Sequence, residues 1–353
     1  NTQKQASLCY KKLSMSKKSS SVNLKNSLKK YEDISEILLN FKNKLDRLNK
    51  NSYTIAVSGG ADSLALVALA KAYSCTKKVN FKYVLVNHNI RKNSKKEANQ
   101  VKNLLKKNNI NLVIISNKKK ITRNIQSQAR DTRYEILIKY CMKNKINTLV
   151  TAHNLEDQVE TFFIRLSRGS GLKGLSSMSP LSKINKKISL FRPLLDIKKK
   201  FLIKISKIAF GKYFEDPSNK DKKYLRTKIR NLKKHLKNSG IEYDQIIKSI
   251  NNLAISKITL EEYFKKIFAE TIKNKKKEIL VDLKKFKKLN YEIKIAIINR
   301  SIKRLRKNYY NHRSKKVIYL IKQLEKASFK KSTLGGCLFF IKKDNLCIRI
   351  EKT

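Results

Sequence analysis

Residues 54–63 read Thr-Ile-Ala-Val-Ser-Gly-Gly-Ala-Asp-Ser, and this stretch decides the fold. Its first four residues form a short apolar run that predicts a buried strand, and the apolar run from Leu64 to Ser74 predicts a helix. Two adjacent glycines between them let the backbone turn tightly and leave room for phosphate oxygens to approach its N–H groups. The start of the helix adds a partial positive charge. We call this predicted phosphate-binding turn the phosphate loop, and it consists of Ser58, Gly59, Gly60, Ala61, Asp62 and Ser63.

The phosphate loop alone leaves its chemistry open. Asp62 is placed either to hold Mg²⁺ or to cap the helix, and an ordinary strand-to-helix turn also fits the two glycines. The loop lacks the Gly-Lys-Ser/Thr ending of a Walker loop, which disfavours P-loop kinase and GTPase chemistry.

The sequence after the phosphate loop repeats the order of strand and helix. Short apolar runs predict further strands at 83–86, 112–115 and 148–150, and helical patterns follow them at 95–107, 124–143 and 156–166. Repeated β-α units predict an α/β, Rossmann-like fold with a parallel sheet and helices on both faces. Ligands of such sheets bind beyond the carboxyl ends of the strands.

The rest of the chain changes in character twice. Residues 167–222 hold all three prolines and predict a loop-rich segment, whereas 243–326 is Lys-rich, lacks proline and predicts helices. Two alternating runs separated by Lys-Asp-Asn predict a terminal β-hairpin. The predicted organisation is a disordered basic extension at 1–25, an α/β catalytic domain at 26–235, a helical domain at 240–330 and a hairpin segment at 331–353.

The net charge of the chain is strongly positive. It has 83 Lys and Arg against 26 Asp and Glu, which gives +57. Such an excess attracts polyanions and favours a nucleic-acid partner. The alternative is the coding bias of an A/T-rich genome, which explains the abundant Lys better than the scarcity of acids.

Cysteine usage and hydropathy predict a cytoplasmic protein outside the membrane. The five cysteines are scattered, without the paired spacing of a zinc site or a disulfide framework: Cys9, Cys75, Cys141, Cys337 and Cys347. No apolar run approaches the roughly 20 residues that span a bilayer. The first residues lack the apolar segment of a signal peptide, and Met15 is an alternative start.

The motif Ser-Gly-Gly-x-Asp-Ser after the first strand resembles the signature of the N-type ATP pyrophosphatases, the PP-loop superfamily. This resemblance implies chemistry at the α-phosphate of ATP. A substrate oxygen is adenylated, pyrophosphate leaves, and a nucleophile then displaces AMP.

Four further segments narrow the resemblance. They are Val-Asn-His-Asn-Ile-Arg at 86–91, Ala-Arg-Asp-Thr-Arg-Tyr at 129–134, the stretch 152–175 that begins Ala-His-Asn-Leu-Glu-Asp-Gln-Val-Glu-Thr, and Arg-Pro-Leu-Leu at 192–195 followed by Glu-Asp-Pro-Ser-Asn at 215–219. Together they resemble the tRNA(Ile)-lysidine synthetase family, densely over residues 53–235. The ending Thr-Leu-Gly-Gly-Cys at 333–337 resembles the shorter C-terminal arrangement of that family.

The resemblance implies ATP- and Mg²⁺-dependent ligation of L-lysine to the wobble cytidine of a tRNA(Ile) with a CAU anticodon. The cytidine is adenylated first, and the product, lysidine, reads AUA instead of AUG. The Lys-rich segment 240–330 would hold the body of the tRNA, and no obligate protein partner is implied.

Three basic residues are candidate catalytic groups. His88 follows the second strand, where an imidazole contacts phosphate or moves a proton, or lies in a plain surface loop. Arg130 and Arg133 are three residues apart, which places both on one helical face. Such a pair clamps the α-phosphate or the RNA backbone, unless the two side chains merely line a solvated face.

Asp157 and Glu160 are also three residues apart on a predicted helix. The resemblance makes them the acids that recognise lysine, whose ammonium groups suit charge-assisted hydrogen bonds. The alternative is a pair of helix N-terminal acids that complement the dipole. Asn154 stands where the family commonly has a second His and Glu156 where it has Asp, so proton-transfer or metal roles for these two are in doubt.

The remaining candidates are expected to contact tRNA. The Gly-rich loop with Arg168 and Lys173 suits closure over a base that has left its stack, or a mobile linker. Arg192, Arg226 and Arg230 complete the predicted tRNA-binding set, and residues 216–219 predict a turn with a structural or RNA-positioning role.

Two rival functions remain at this level. One is a tRNA thiolase of the same superfamily, against which the unpaired cysteines argue. The other is a non-catalytic RNA-binding protein with a relic nucleotide fold, against which the intact phosphate loop and the acid pair argue.

Overall fold

The computed structural model describes residues 23–90, 93–117, 125–215, 225–275, 278–306, 315–326 and 328–351. The chain divides into two compact units, one up to Leu253 and the other Ala254–Thr353. Cys9, Met15, the predicted turn at 216–219 and most of the predicted extension at 1–25 lie outside the described residues; from residue 23 the chain is helical.

The first unit is built on a six-stranded sheet with the order β3-β2-β1-β4-β6-β5. Its strands are β1 (Ser52–Val57), β2 (Asn80–Asn87), β3 (Leu112–Ser116), β4 (Thr148–Val150), β5 (Leu181–Lys183) and β6 (Ser189–Phe191). All neighbours pair in parallel except β5, which runs antiparallel to β6. The predicted parallel α/β sheet is therefore confirmed, with an antiparallel edge strand.

The helices of this unit include the four predicted at 64–74, 95–107, 124–143 and 156–166. They are α1 (Glu32–Leu48), α2 (Ala61–Tyr73), α3 (Ser94–Lys107), α4 (Ile125–Lys143), α5 (Leu155–Leu166), α6 (Leu172–Leu175), α7 (Lys199–Phe210) and α8 (Leu225–Asn238). Every residue of α2 from Leu64 to Ala70 is fully buried. A helix that is apolar on all sides belongs in a core, and it packs here among the sheet, α1 and α7.

The topology places the candidate site. Strand β1 has β2 and β3 on one side and β4 on the other, so the strand order reverses beside β1. Crevices at such a reversal, outside the carboxyl ends of the strands, are the ligand sites of open α/β sheets. The phosphate loop follows β1, His88 follows β2, and residues 151–154 follow β4.

A long helix, α9 (Tyr243–Thr271), contains the boundary between the two compact units. Its first turns belong to the first unit because Ile246 and Ile250 are buried against Leu155 and Val159 of α5. The division at Leu253 thus lies within the segment 240–330 that the sequence assigns to a separate helical domain.

The second unit is an antiparallel sheet with helices, which corrects the expectation of a helical segment followed by a hairpin. The sheet order is β7-β8-β11-β10-β9. Its elements are β7 (Ile272–Asn274), β8 (Glu278–Asp282), α10 (Leu283–Lys288), α11 (Tyr291–Leu305), α12 (Lys315–Leu324), β9 (Lys331–Leu334), β10 (Cys337–Lys342) and β11 (Asn345–Ile350). The predicted hairpin is confirmed as β10 and β11.

Two of the strands that the sequence did not predict, β7 and β8, are only three and five residues long. The partner that stabilises β8 is β11, more than sixty residues further along the chain. Such a short alternating run between Lys-rich segments is ambiguous until its distant partner is known.

No helix in the described part of the chain is both long and apolar enough to cross a membrane.

Candidate active site

The phosphate loop is held in shape by one of its own side chains. The Ser63 hydroxyl oxygen accepts the backbone N–H groups of Ser58 at 3.2 Å and Gly59 at 3.1 Å, and it donates to the Gly60 carbonyl at 3.0 Å. The Ser58 hydroxyl lies 3.2 Å from the same oxygen. The first turn of α2 therefore fixes the loop that precedes it.

The phosphate loop is also clamped from both sides at Gly59. This glycine has φ +86°, which side-chain-bearing residues rarely adopt, and an added Cβ would lie 2.5 Å from a methyl group of Val101 on α3. On the other side, Phe214 donates its backbone N–H to the Gly59 carbonyl at 3.0 Å. Only glycine fits this position.

Asp62 is a buried carboxylate with a free oxygen. The N-cap of α2 is Gly60 without a side-chain hydrogen bond, so the alternative that Asp62 caps the helix is wrong. Its Oδ1 atom is buried and has no hydrogen-bond partner among the described residues. Burial raises its pKa to about 6 against the attraction of Lys199, and the nearby charge of Asp157 raises it further.

This environment fits a divalent cation. A buried carboxylate oxygen without a partner is costly, and a bound cation would compensate it. The described residues contain no cluster of three His, Cys, Asp or Glu that could hold a metal alone. Mg²⁺ suits such a site because it commonly takes one or two carboxylates together with substrate phosphates and water.

His88 lies half-buried beyond β2, near a basic helix face. Its Nδ1 atom is buried without a partner among the described residues. Burial lowers its pKa, and the positive charge of Arg133 lowers it further. Burial likewise lowers the pKa of Arg133, and the positive charge of Arg130 lowers it further. The Arg130 guanidinium lies 5.2 Å from the centre of the Tyr134 ring.

A second histidine, His153, belongs to the same region, although the sequence gave it no role. Its Nδ1 atom lies 2.8 Å from the Thr151 hydroxyl. Burial lowers its pKa to about 4; Asp157 opposes this shift, and Arg130, Arg192 and Arg226 add to it. Its sequence signals were its place directly after a predicted strand and its position in the stretch 152–175 that carries the family resemblance.

Asp157 serves the N-terminus of α5. Its Oδ2 atom accepts the Asn154 N–H at 3.1 Å, and the Asn154 side chain accepts the Asp157 N–H at 2.9 Å, which is a complete capping box. Asp157 thus has the helix-terminal role that the sequence analysis considered. Its charge also raises the pKa of Asp62.

Glu160 is a buried acid paired with two arginines. It is 2% exposed, and its carboxylate forms a hydrogen-bonded ion pair with Arg230 and lies 3.6 Å from Arg226. Burial raises the pKa of Glu160, and Arg230 opposes that shift. The two arginines of α8 that the sequence assigns to tRNA contacts therefore meet the predicted lysine-binding acid.

Glu156 has a structural contact. Its Oε2 atom accepts the backbone N–H of Lys199 at 2.9 Å, at the first residue of α7. Since α7 lacks a capping side chain of its own, Glu156 supplies the missing acceptor from another helix.

The predicted tRNA contacts differ in exposure. Arg168 and Lys173 are exposed near the 167–171 turn. Arg192 is partly buried and donates to the Ser179 carbonyl at 2.8 Å. Arg165, which the sequence did not single out, connects the end of α5 to the segment after the turn. It donates to the carbonyls of Gly174 and Ser177 at 2.7 and 2.8 Å. No local sequence pattern distinguishes it.

Comparison with known proteins gives a consistent result. The PP-loop domain family matches residues 31–236 of the chain. The tRNA(Ile)-lysidine synthase of Wolbachia pipientis wMel is 35% identical over 308 residues, covering 86% of this chain and 71% of the relative. The tRNA(Ile)-lysidine synthase of Rickettsia akari is 33% identical over 307 residues, covering 85% and 69%.

Among solved structures, the U34-tRNA thiolase NcsA from Methanococcus maripaludis with its [4Fe-4S] cluster is similar. It has a TM-score of 0.53 and 21% identity, and the match covers 62% of this chain and 78% of that chain. At this identity the likeness concerns the fold alone.

Proposed function

The chain belongs to the tRNA(Ile)-lysidine synthase family, and we propose from that premise how its site carries out the reaction. The enzyme is an ATP-dependent ligase that forms a carbon–nitrogen bond to make lysidine on tRNA(Ile). In the proposed sequence the ring carbonyl oxygen of the wobble cytidine in a CAU anticodon attacks the α-phosphate of ATP, and pyrophosphate leaves. The amine of free L-lysine then attacks the ring carbon bonded to that oxygen, and AMP leaves together with the oxygen.

The phosphate loop is the proposed binding site for the phosphates of ATP. The N-terminus of α2 supplies hydrogen bonds and positive potential for them, whereas the N–H groups of Ser58 and Gly59 already donate to the Ser63 hydroxyl. Asp62 would hold Mg²⁺, which neutralises charge on the departing pyrophosphate. The free Oδ1 atom of Asp62 supports this assignment.

The basic groups beyond β2 and β4 would stabilise the α-phosphate during transfer. Arg130 and Arg133 provide permanent charge, because a guanidinium stays protonated even where burial lowers its pKa. His88 and His153 have lowered pKa values, so both are neutral at pH 7 and able to accept a hydrogen bond or a proton.

Asp157 and Glu160 are the proposed recognition groups for lysine. The Asn154 side chain accepts the Asp157 N–H at 2.9 Å and also hydrogen-bonds Asp62, and the charge of Asp157 raises the pKa of both Asp62 and Glu160, which supports a lysine site next to the phosphate loop. This closeness is the observation that carries the proposal, since the nucleophile must reach the atom that ATP has activated. Lysine binding at Glu160 requires its ion pairs with Arg226 and Arg230 to rearrange.

A direct experiment tests the activity. The protein is incubated with ATP, Mg²⁺, L-lysine and a CAU-anticodon tRNA(Ile) transcript, and the digested nucleosides are analysed by mass. We expect lysidine together with equal amounts of AMP and pyrophosphate, and less with the tRNA(Met) that shares the anticodon. Unmodified cytidine from protein that binds nucleotide normally would contradict the proposal.

No structural observation favours the rival functions. Of the four described cysteines, Cys141, Cys337 and Cys347 are buried, and none is paired. Cys75 lies just past the end of α2. Membership of a ligase family argues against a non-catalytic RNA-binding protein.

A further inference from the structure

The five-stranded sheet of the second unit buries one face in a core and leaves the other face partly exposed. Ile279, Val281, Phe339, Leu346 and Ile348 are buried in the core of this unit. Because side chains alternate along a strand, the residues between them point to the opposite face.

The strand register aligns five of these outward residues in one row across all five strands. Lys273 pairs with Leu280, Leu280 with Cys347, Cys347 with Phe340, and Phe340 with Lys331. We call these five residues the cross-strand row. It crosses four inter-strand spacings of about 4.8 Å, or roughly 19 Å in all.

The cross-strand row has an apolar centre and a cation at each end. Lys273 and Lys331 are exposed, and Leu280 and Phe340 are half-buried. From the neighbouring row, the exposed Arg349 places its guanidinium 5.0 Å from the centre of the Phe340 ring. Phe340 and Arg349 thus form a cation–π pair on this face.

Two acids on the same face contact other groups, and one of them, Glu278, also lies opposite Arg349 in the strand register. Asp282 accepts the backbone N–H of Lys285 at 3.0 Å and caps α10. Glu278 forms a 3.5 Å ion pair with Lys275. Lys273, Lys331 and Arg349 form no ion pair within the described part of the chain. Their charges are therefore available to an external anion.

We propose that this face is the surface through which the second unit contacts RNA, with Phe340 and Arg349 stacking on an unpaired base and Lys273 and Lys331 holding phosphates on either side. Aromatic rings and guanidinium planes are the groups on which proteins stack single-stranded bases, and an open sheet face accommodates two or three of them. That the RNA is the tRNA substrate rests on the proposed function.

The charge pattern favours RNA over a protein partner. Docked proteins bury a sizeable apolar core patch that is depleted in charge. Here the apolar centre is narrow, Cys347 is only 2% exposed, and free cations flank it. This proposal adds a particular sheet face to the tRNA contacts predicted for the Lys-rich segment 240–330.

The test uses the full chain and three variants. The first, Phe340→Leu, keeps an apolar side chain but removes the ring. The second combines Lys273→Gln and Lys331→Gln. The matched control combines Lys316→Gln and Lys322→Gln on α12, which removes the same charge from exposed helical positions. Binding to the CAU-anticodon tRNA(Ile) transcript is measured at several salt concentrations, with thermal unfolding as a check of folding.

We expect Phe340→Leu to weaken RNA binding roughly five- to a hundredfold, the range that follows from the loss of one stacked base. The Lys273/Lys331 pair should lower the slope of log affinity against log salt by about 1.4–1.8, because two phosphate contacts are lost. The control pair should lower the slope clearly less. Wild-type affinity in Phe340→Leu, or equal slopes for the two lysine pairs, overturns the proposal.

Lysidine formation at saturating tRNA separates this inference from the proposed function. Wild-type protein that binds the transcript but makes no lysidine contradicts the proposed function. The binding data for the variants would still test whether this sheet face contacts RNA. Variants with an unchanged maximal rate and a raised KM for tRNA support both.

Discussion

At the scale of single residues, the site is defined by acids kept in a buried and mostly basic setting. Asp62 has an oxygen without a hydrogen-bond partner among the described residues, and Glu160 pairs with two arginines. Asp157 takes part in the capping box of α5. Each buried charge costs free energy in the free enzyme. Such costs are typical of groups that bind ligands.

Asp62→Asn should stabilise the free protein while impairing nucleotide use. The folded-state pKa of about 6 is above the ordinary value of 3.8, so the folded state binds more protons than the unfolded state between these values. The free energy of unfolding of the wild type therefore falls as pH rises from about 4 to 6, by roughly 1–3 kcal/mol. Urea unfolding without Mg²⁺ should show a larger gain for the variant at pH 7.5 than at pH 4.5.

The same variant tests the metal assignment. Mg²⁺ with ATP should raise the melting temperature of the wild type and have little effect on Asp62→Asn, since a ligand stabilises only the state that binds it. An equal rise in both proteins would exclude Asp62 as a metal ligand.

Glu160→Gln and Glu156→Gln form a matched pair on one helix. The first removes the charge that faces Arg226 and Arg230 and should raise the KM for lysine tenfold or more, since charge-assisted hydrogen bonds contribute about 1.5–3 kcal/mol. The second leaves an oxygen able to accept the Lys199 N–H and should leave the KM for lysine unchanged. The measurement is lysine-dependent pyrophosphate release; similar effects from both substitutions would contradict the lysine role of Glu160.

Gly59→Ala should abolish tight ATP binding. Its positive φ would cost about 1–2 kcal/mol, and its Cβ would press on Val101. Adding Val101→Ala should relieve the contact but not the backbone strain, so ATP affinity measured by calorimetry should recover only in part. Full recovery would mean that contact, rather than backbone conformation, selects the glycine.

At the scale of elements, α5 links the parts of the site. It begins with the capping box of Asn154 and Asp157, it supplies Glu156 to the start of α7, and it presents Glu160 to α8. Its apolar side is buried against the first turns of α9. One helix thus sets the positions of the acids relative to the phosphate loop.

Asn154→Ala should destabilise this element by about 1 kcal/mol, the usual cost of losing a capping side chain. Asn154→Asp keeps an acceptor for the Asp157 N–H and should cost less stability, measured by urea unfolding. The alanine variant should also raise the KM for lysine, because Asp157 loses its orienting partner. Equal stability of the alanine and aspartate variants would show that the cap contributes nothing measurable.

At the scale of the whole molecule, the dominant property is a net charge of +57. Binding that neutralises many phosphates releases counterions and is steeply salt-dependent. We expect added salt to raise the KM for tRNA much more than the KM for lysine in steady-state assays. Comparable effects of salt on the two KM values would mean that the positive charge does not contribute to RNA binding. That result would favour the coding-bias alternative.

The amino-acid sequence by itself determined the α/β class, the phosphate loop and the terminal hairpin. These features depend on local patterns: apolar runs, adjacent glycines and alternation next to a turn. Only the tertiary structure decided that Arg226 and Arg230 face Glu160, that Arg165 bonds the carbonyls of Gly174 and Ser177, and that β8 pairs with β11. The partners in these contacts are distant in sequence or lack a local signal, so folding alone brings them together.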